Sequence, residues 1–102
     1  PWWKEIVMYQ NQEVMKLCTE KLAGELPVLR KMHHLTQKDL GDIIGVSRQT
    51  ITNIESGKSE MKWSVFLALM FVFSLDNNLL EYLKQLDIPY AEIKKWLEEK
   101  RG

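Results

Sequence analysis

Between Gln37 and Glu55 the chain reads QKDLGDIIGVSRQTITNIE, and Arg48, Gln49, Thr52 and Asn53 recur there at the spacing of one helix side. A guanidinium, two carboxamides and a hydroxyl are hydrogen-bonding groups, with no nucleophile and base paired among them. The chemistry they can do is recognition. With Ile51 and Ile54 on the buried side, the outer side of such a helix can bond to base edges. A single helix also fits the major groove of duplex DNA, about 12 Å wide. Catalysis has no comparable set: the 102 residues hold no Ser/His/Asp or Cys/His arrangement, no phosphate loop and no cluster at metal-ligand spacing. No catalytic residue, metal site or cofactor is expected.

A two-turn helix can read a surface only if its neighbours hold it at a set angle. Thr36 is expected to cap the preceding short helix, with Asp39 three residues on as an imperfect capping box. Leu40, Ile43 and Ile44 form the apolar face of that helix, and Gly45 ends it. The turn Gly45-Val46-Ser47 needs the positive φ that glycine supplies. Val46 plugs the angle between the helices, and Ser47 caps the helix that starts at Arg48. Gly41 falls where the two helices cross most closely, and Gly57 closes the second of them.

The rest reads as helical scaffold. Val14, Leu17, Cys18, Leu22 and Leu26 share one face, with Asn11 as the N-cap. Gly24 and Pro27 predict a break near Gly24–Leu26, with Pro27 in the first turn of a second helix whose Leu29 and Met32 face inward. A continuous, kinked helix is the alternative. Trp63 to Phe73 is apolar nearly all round, which implies burial on most sides. Its uncharged run, Val65 to Phe73, is nine residues long, far below the roughly 20 of a membrane span. Asp76 is expected to cap a helix from Asn77 to Leu86, and Ile88-Pro89 to turn the chain. Tyr90 to Lys100 is a last amphipathic helix with Ile93, Trp96 and Leu97 on one side. Strand alternation never exceeds four residues, so the fold class is all-α.

The run Leu35-Thr36-Gln37, Leu40, Gly45-Val46-Ser47, Thr50-Ile51, Ile54-Glu55 and Gly57-Lys58 resembles the lambda-repressor-like helix-turn-helix family of Cro and its relatives, the XRE family, over about residues 26–86. The resemblance implies a five-helix core whose third helix lies in the major groove. Here that core has an N-terminal helical extension, 1–25, for packing or dimerisation, and a C-terminal amphipathic helix, 87–102. It implies base contacts from Arg48, Gln49, Thr52 and Asn53. Arginine forks onto guanine and Gln or Asn onto adenine, each good pair giving about 1–3 kcal/mol of discrimination. It implies phosphate contacts from Gln37, Ser47, Thr50, Ser56 and Lys58, with Gln37 also bracing the reading helix. Arg30 and Glu55 match a position where a partly buried ion pair ties the first and third helices. The pattern is departed from at Gly41 for the usual Ala, His34 for a turning Gly, and Lys62 for a capping Ser or Thr, and Met61-Lys62-Trp63 replaces a common Pro-Ser. His34 must then accept a positive φ, and the fourth helix either lacks its cap or uses Ser64.

Fourteen basic and fourteen acidic residues leave no net charge. Residues 26–62 carry six basic and four acidic groups, against three and four before them and five and six after. The modest positive excess, too small to identify a nucleic-acid binder alone, sits on the motif. One cysteine allows no internal disulfide, and Pro1-Trp2-Trp3-Lys4 lacks the pattern of a leader, so a single cytoplasmic domain is expected. Cys18, on an apolar face, is expected to be inert rather than a redox sensor. His33 and His34 read as one packed and one loop residue rather than a metal or pH site. Trp2 and Trp3 with Ile6 and Val7 suggest a partner patch or a fold-back onto the core ahead of a membrane anchor. Val65 to Phe73 reads as core plus part of a subunit interface rather than a ligand pocket. Lys84, Lys94, Lys95, Lys100 and Arg101 alternate with acidic residues as a solvated face.

The expected function is sequence-specific binding of double-stranded DNA by a transcriptional regulator, a repressor before an activator. One short helix makes few base contacts, so a homodimer reading two half-sites is expected, with no membrane or small-molecule partner. Its interface would come from the Trp-rich N-terminal helix, the Val65–Phe73 helix or the Tyr90–Lys100 helix. The alternative is a protein-interaction module on the same fold, an antitoxin or a transcription bridging factor.

Overall fold

The computed structural model describes the backbone of residues 2–88 and 90–101, and the side chains of residues 12–88 and 91–101. The described elements are all helical: α1 (Trp2–Met32), α2 (Gln37–Ile44), α3 (Arg48–Glu55), α4 (Trp63–Ser74), α5 (Leu79–Gln85) and α6 (Tyr90–Arg101). The all-α expectation holds, but the break between an N-terminal helix and the core does not. α1 runs unbroken through Gly24 and Pro27, and Asn11 lies inside it instead of capping it. A proline within a helix costs about 3 kcal/mol. Against this, Cys18, Leu22, Leu26 and Leu29 form one stripe that is buried in one core on both sides of the proline. Burying each such side chain gains about 1.5–3 kcal/mol, and a break at Leu26 would split the stripe.

The stripe is narrower than the residue spacing predicts. Leu17 and Met32 on α1 and Ile43 on α2 are exposed, not inward. The core is closed by Leu40, Ile51 and Ile54 from α2 and α3, by Phe66, Leu69 and Phe73 from α4, and by Tyr82 and Leu83 from α5. α4 buries Val65 and Met70 as well, yet leaves Leu67 and Phe71 more than half exposed. Its N-cap is Lys62, with no side-chain cap bond, so Ser64 does not take over that role. Trp63 stacks on Phe66 with centroids 4.6 Å apart, and Trp96 of α6 meets it edge-on at 6.2 Å. Ile93 packs on the core beside them, while Leu97 is exposed.

One turn differs from expectation in how it is fixed. Asn78, not Asp76, caps the fifth helix, its carboxamide oxygen accepting from the Leu80 amide at 2.9 Å. Asp76 faces His33 instead, 3.4 Å from Nδ1, and the His33 ring rests on Phe73. His34 ends α1 at a φ of 59°, as its place in the turn demands. Pro89 and the side chains of Trp2, Trp3, Ile6 and Val7 lie outside the described residues. Among the described residues no single helix is long and apolar enough to cross a membrane.

Cys18 is fully buried, and burial pushes its thiol up to about 11. The thiolate is the reactive form. A water-soluble thiol reagent at neutral pH is therefore expected to label the folded chain at least about tenfold more slowly than the chain in denaturant, read by mass spectrometry. Equal rates would place the thiol outside the core.

Candidate nucleic-acid interface

The α2–turn–α3 unit is fixed locally by caps. Thr36 Oγ1 accepts from the Asp39 amide at 3.0 Å, and the Asp39 carboxylate accepts from the Thr36 amide at 2.9 Å. The box is therefore complete, and the backbone amide of Thr36 holds the Asp39 carboxyl below the usual carboxylate range. Gly45 takes a φ of 80°. Ser47 caps α3 by accepting from the Thr50 amide, and its hydroxyl lies 2.9 Å from that of Thr50. Val46 is half-buried against the core, between the two helices. At Gly41 an added Cβ would stand 2.7 Å from the Val46 carbonyl oxygen, so the expected close crossing is real and tighter than an alanine would allow.

α3 is held from behind by polar bonds as well as by buried Ile51 and Ile54. Arg30 grips Glu55 with two parallel bonds, Nε to Oε2 at 2.9 Å and Nη2 to Oε1 at 3.0 Å, and its Nη1 donates to the Leu35 carbonyl at 3.1 Å. Both side chains are largely buried, 13% and 8% exposed. The resemblance-based pairing of Arg30 and Glu55 is thus present as geometry, spanning the C-terminal ends of α1 and α3. Gln37 adds a second brace. Its Nε2 donates to Glu55 Oε1 at 3.2 Å, and its Oε1 accepts from the Thr52 hydroxyl at 2.8 Å. A carboxylate only accepts, so this arrangement fixes which end of the carboxamide faces Glu55.

The outer side of α3 presents Arg48 and Gln49, both exposed, with half-buried Asn53 one turn on. Gln49 Nε2 donates to Asn53 Oδ1 at 2.9 Å. That bond orders the two carboxamides and leaves Gln49 Oε1 as an outward acceptor and Asn53 Nδ2 as an outward donor. Thr52 turns away from this group, with its hydroxyl held between Gln37 and the Arg48 carbonyl. Ser47 and Thr50 lie at the N-terminal end of α3. At its C-terminal end the Asn53 carbonyl accepts from the Ser56 hydroxyl and from the Lys58 amide.

Sequence reasoning missed one feature beside this surface. An open cleft of about 670 Å³ is lined by Arg30, Lys31, His34, Gln37, Lys38 and Arg48. Its only sequence signal is the local excess of basic residues. Among the described residues no group of three His, Cys, Asp or Glu side chains is placed to hold a metal ion.

Comparison with known proteins is consistent with this geometry. Residues 29–61 match the family model described as helix-turn-helix. A Methanocaldococcus jannaschii protein, named an uncharacterized HTH-type transcriptional regulator, is 51% identical over 37 residues, 36% of this chain and 56% of that protein. The match thus spans little more than half of the relative's length. No solved structure matches the chain.

Proposed function

From the premise that residues 29–61 belong to the helix-turn-helix family in its lambda-repressor-like form, we propose that this chain is a sequence-specific DNA-binding regulator of transcription and not an enzyme. The observation that carries this reading is the two-sided build of α3. Ile51, Ile54, Glu55 and Thr52 lock its inner side, and Arg48, Gln49 and Asn53 are left in order on the outer one. A helix merely solvated on one side needs no such bracing. The major groove receives α3, with Arg48, Gln49 and Asn53 on base edges. Ser47, Thr50, Ser56 and Lys58 lie along the flanking phosphates, and Gln37 and Thr52 serve first to hold α3.

The expected boundary at residue 25 falls inside α1, whose Cys18 and Leu22 share the core with α3 and α4. The reading domain therefore takes in that part of α1 as well as residues 26–86, and exposed apolar surface contributes to pairing of two copies. Leu67 and Phe71 of α4 and Leu75 after it are spaced four apart and more than half exposed, which gives a second copy apolar surface to cover. Repression by occupying a promoter is the simplest action for such a dimer.

Selection of bound duplexes from a random pool tests the whole reading. The expected winners carry two inverted half-sites centred about 34–36 Å apart. Arg48→Ala should relax preference at one position of each half-site by about 1–3 kcal/mol and leave the others intact. A pool with no enrichment, or an Arg48→Ala variant with unaltered preference, sinks the proposal.

A further inference from the structure

We propose that the cleft between α1 and the connection from α3 to α4 binds a small organic cation with an apolar body. Its lining includes none of Arg48, Gln49 and Asn53, and the assignment does not rest on the DNA reading.

Three observations carry it. The first is space and surface. The cleft holds about 720 Å³, within the range of about 300–1,000 Å³ usual for small-molecule sites. Met15 and Ala23 line it from α1, Ile54 from α3, and Met61 and Trp63 from the far end of the connection. Trp63 is fixed by its stack on Phe66 and its edge contact with Trp96. An indole attracts cations through its ring electrons, and methionine adapts its shape to an apolar guest.

The second observation is charge. Three glutamates and one lysine line the cleft. Glu55 is taken up by Arg30, and Glu20 lies 3.9 Å from Lys16. Glu60 is exposed, and among the described residues it enters no ion pair. The lining therefore keeps one uncompensated carboxylate beside an aromatic and thioether surface. That combination repels nucleic acid and other anions and suits a quaternary or ammonium-like cation.

The third is Gly24. It sits inside α1, where glycine is a poor helix former. A Cβ added there would meet nothing within 4 Å, so no contact inside the chain demands the residue. Its missing side chain instead leaves the α1 wall of the cleft open. The opposite wall, Ile54 to Gly57, is the C-terminal end of α3 and the turn after it. An occupant therefore rests against the reading helix from behind.

The test is calorimetric titration of the full chain, without duplex, with tetraphenylphosphonium and with tetraphenylborate, an anion of the same shape. The phosphonium should saturate one site per chain below about 1 mM. It should bind at least about tenfold more tightly than the borate. Glu60→Gln should weaken phosphonium binding roughly two- to fivefold, and Glu60→Lys should reverse the preference between the two ions. Gly24→Leu fills the cleft. It should melt no lower than the parent, because leucine is the better helix former, and bind the phosphonium at least about tenfold more weakly. Where that variant fails to fold, the exposed Glu60 variants decide alone. Equal binding of the two ions, no saturation by the phosphonium, an unaltered ion preference in both Glu60 variants, or full binding by a folded Gly24→Leu overturns the assignment. So does a wild-type dimer that Gly24→Leu or Glu60→Lys splits, read by sedimentation, because a second copy then fills the cleft.

Discussion

Arg30→Ala is expected to lower stability by about 3–5 kcal/mol, the usual cost of stranding one member of a buried, hydrogen-bonded pair. Glu55 would keep only its bond from Gln37, with a carboxylate 8% exposed. The Leu35 carbonyl would also lose the guanidinium that caps it. For a domain of this size each kcal/mol shifts Tm by about 4–8 °C, so the expected drop is about 12 °C or more. That is a large part of the total stability of an ordinary domain, about 5–15 kcal/mol. Thermal denaturation followed by circular dichroism measures it directly, and a drop of only a few degrees contradicts the account.

Glu55→Gln separates charge from shape. It keeps the size of the side chain but leaves the Arg30 charge 13% exposed without a counterion, so it should also destabilise strongly. Arg30→Met with Glu55→Leu should recover more than half of the loss, because removing both charges removes the desolvation burden of each. The cycle isolates the coupling between the two residues. The functional consequence follows from where the pair sits. It joins α1 to the end of α3, so at temperatures where the variant still folds its DNA affinity should fall with little change in base order.

Local devices in this fold were legible because each is written in adjacent residues. Thr36 with Asp39, Ser47 and Gly45 each declare a cap or a turn within a four-residue window and take that role, whereas the positive φ of His34 was implied by the family resemblance alone. Continuity of α1 was legible only as the second reading, because Pro27 is a local signal against helix, and the shared burial of Cys18, Leu22, Leu26 and Leu29 overrides it. The Asp76 cap failed for a related reason: its carboxylate has a distant partner in His33, and Asn78 does the capping. Met32 and Ile43 show that apolar spacing marks a stripe wider than the one neighbours can cover. At the candidate site, the outward residues of α3 follow from its period. The second shared partner of Gln37, Thr52, and the cleft beside it depend on how three helices meet, which spacing along one helix does not encode.

Gly41→Leu is expected to cost about 3 kcal/mol, at the upper end of the overpacking range, and to impair DNA binding by more than its stability loss explains. The atoms that a Cβ would meet here are all backbone: the Val46 oxygen at 2.7 Å, the Ser47 carbonyl carbon at 3.3 Å and the Arg48 nitrogen at 3.4 Å. No flexible side chain can swing aside, so α2 and the turn must separate. That turn carries the N-cap of α3, and Arg48 follows it directly. Gly41→Ala sets two effects against each other. Alanine stabilises a helix by about 0.5–1 kcal/mol over glycine, while the overlap at Val46 works the other way by about 1–3 kcal/mol. The balance is a modest net loss of stability. A single methyl that displaces the start of α3 by a few tenths of an ångström should also weaken binding to the selected duplex while removing no charge, so the salt slope should stay near its wild-type value. Paired melting and binding titrations on both variants decide the matter. If Gly41→Ala is more stable and binds as well as the parent, the close crossing is not what sets the pitch of the reading helix.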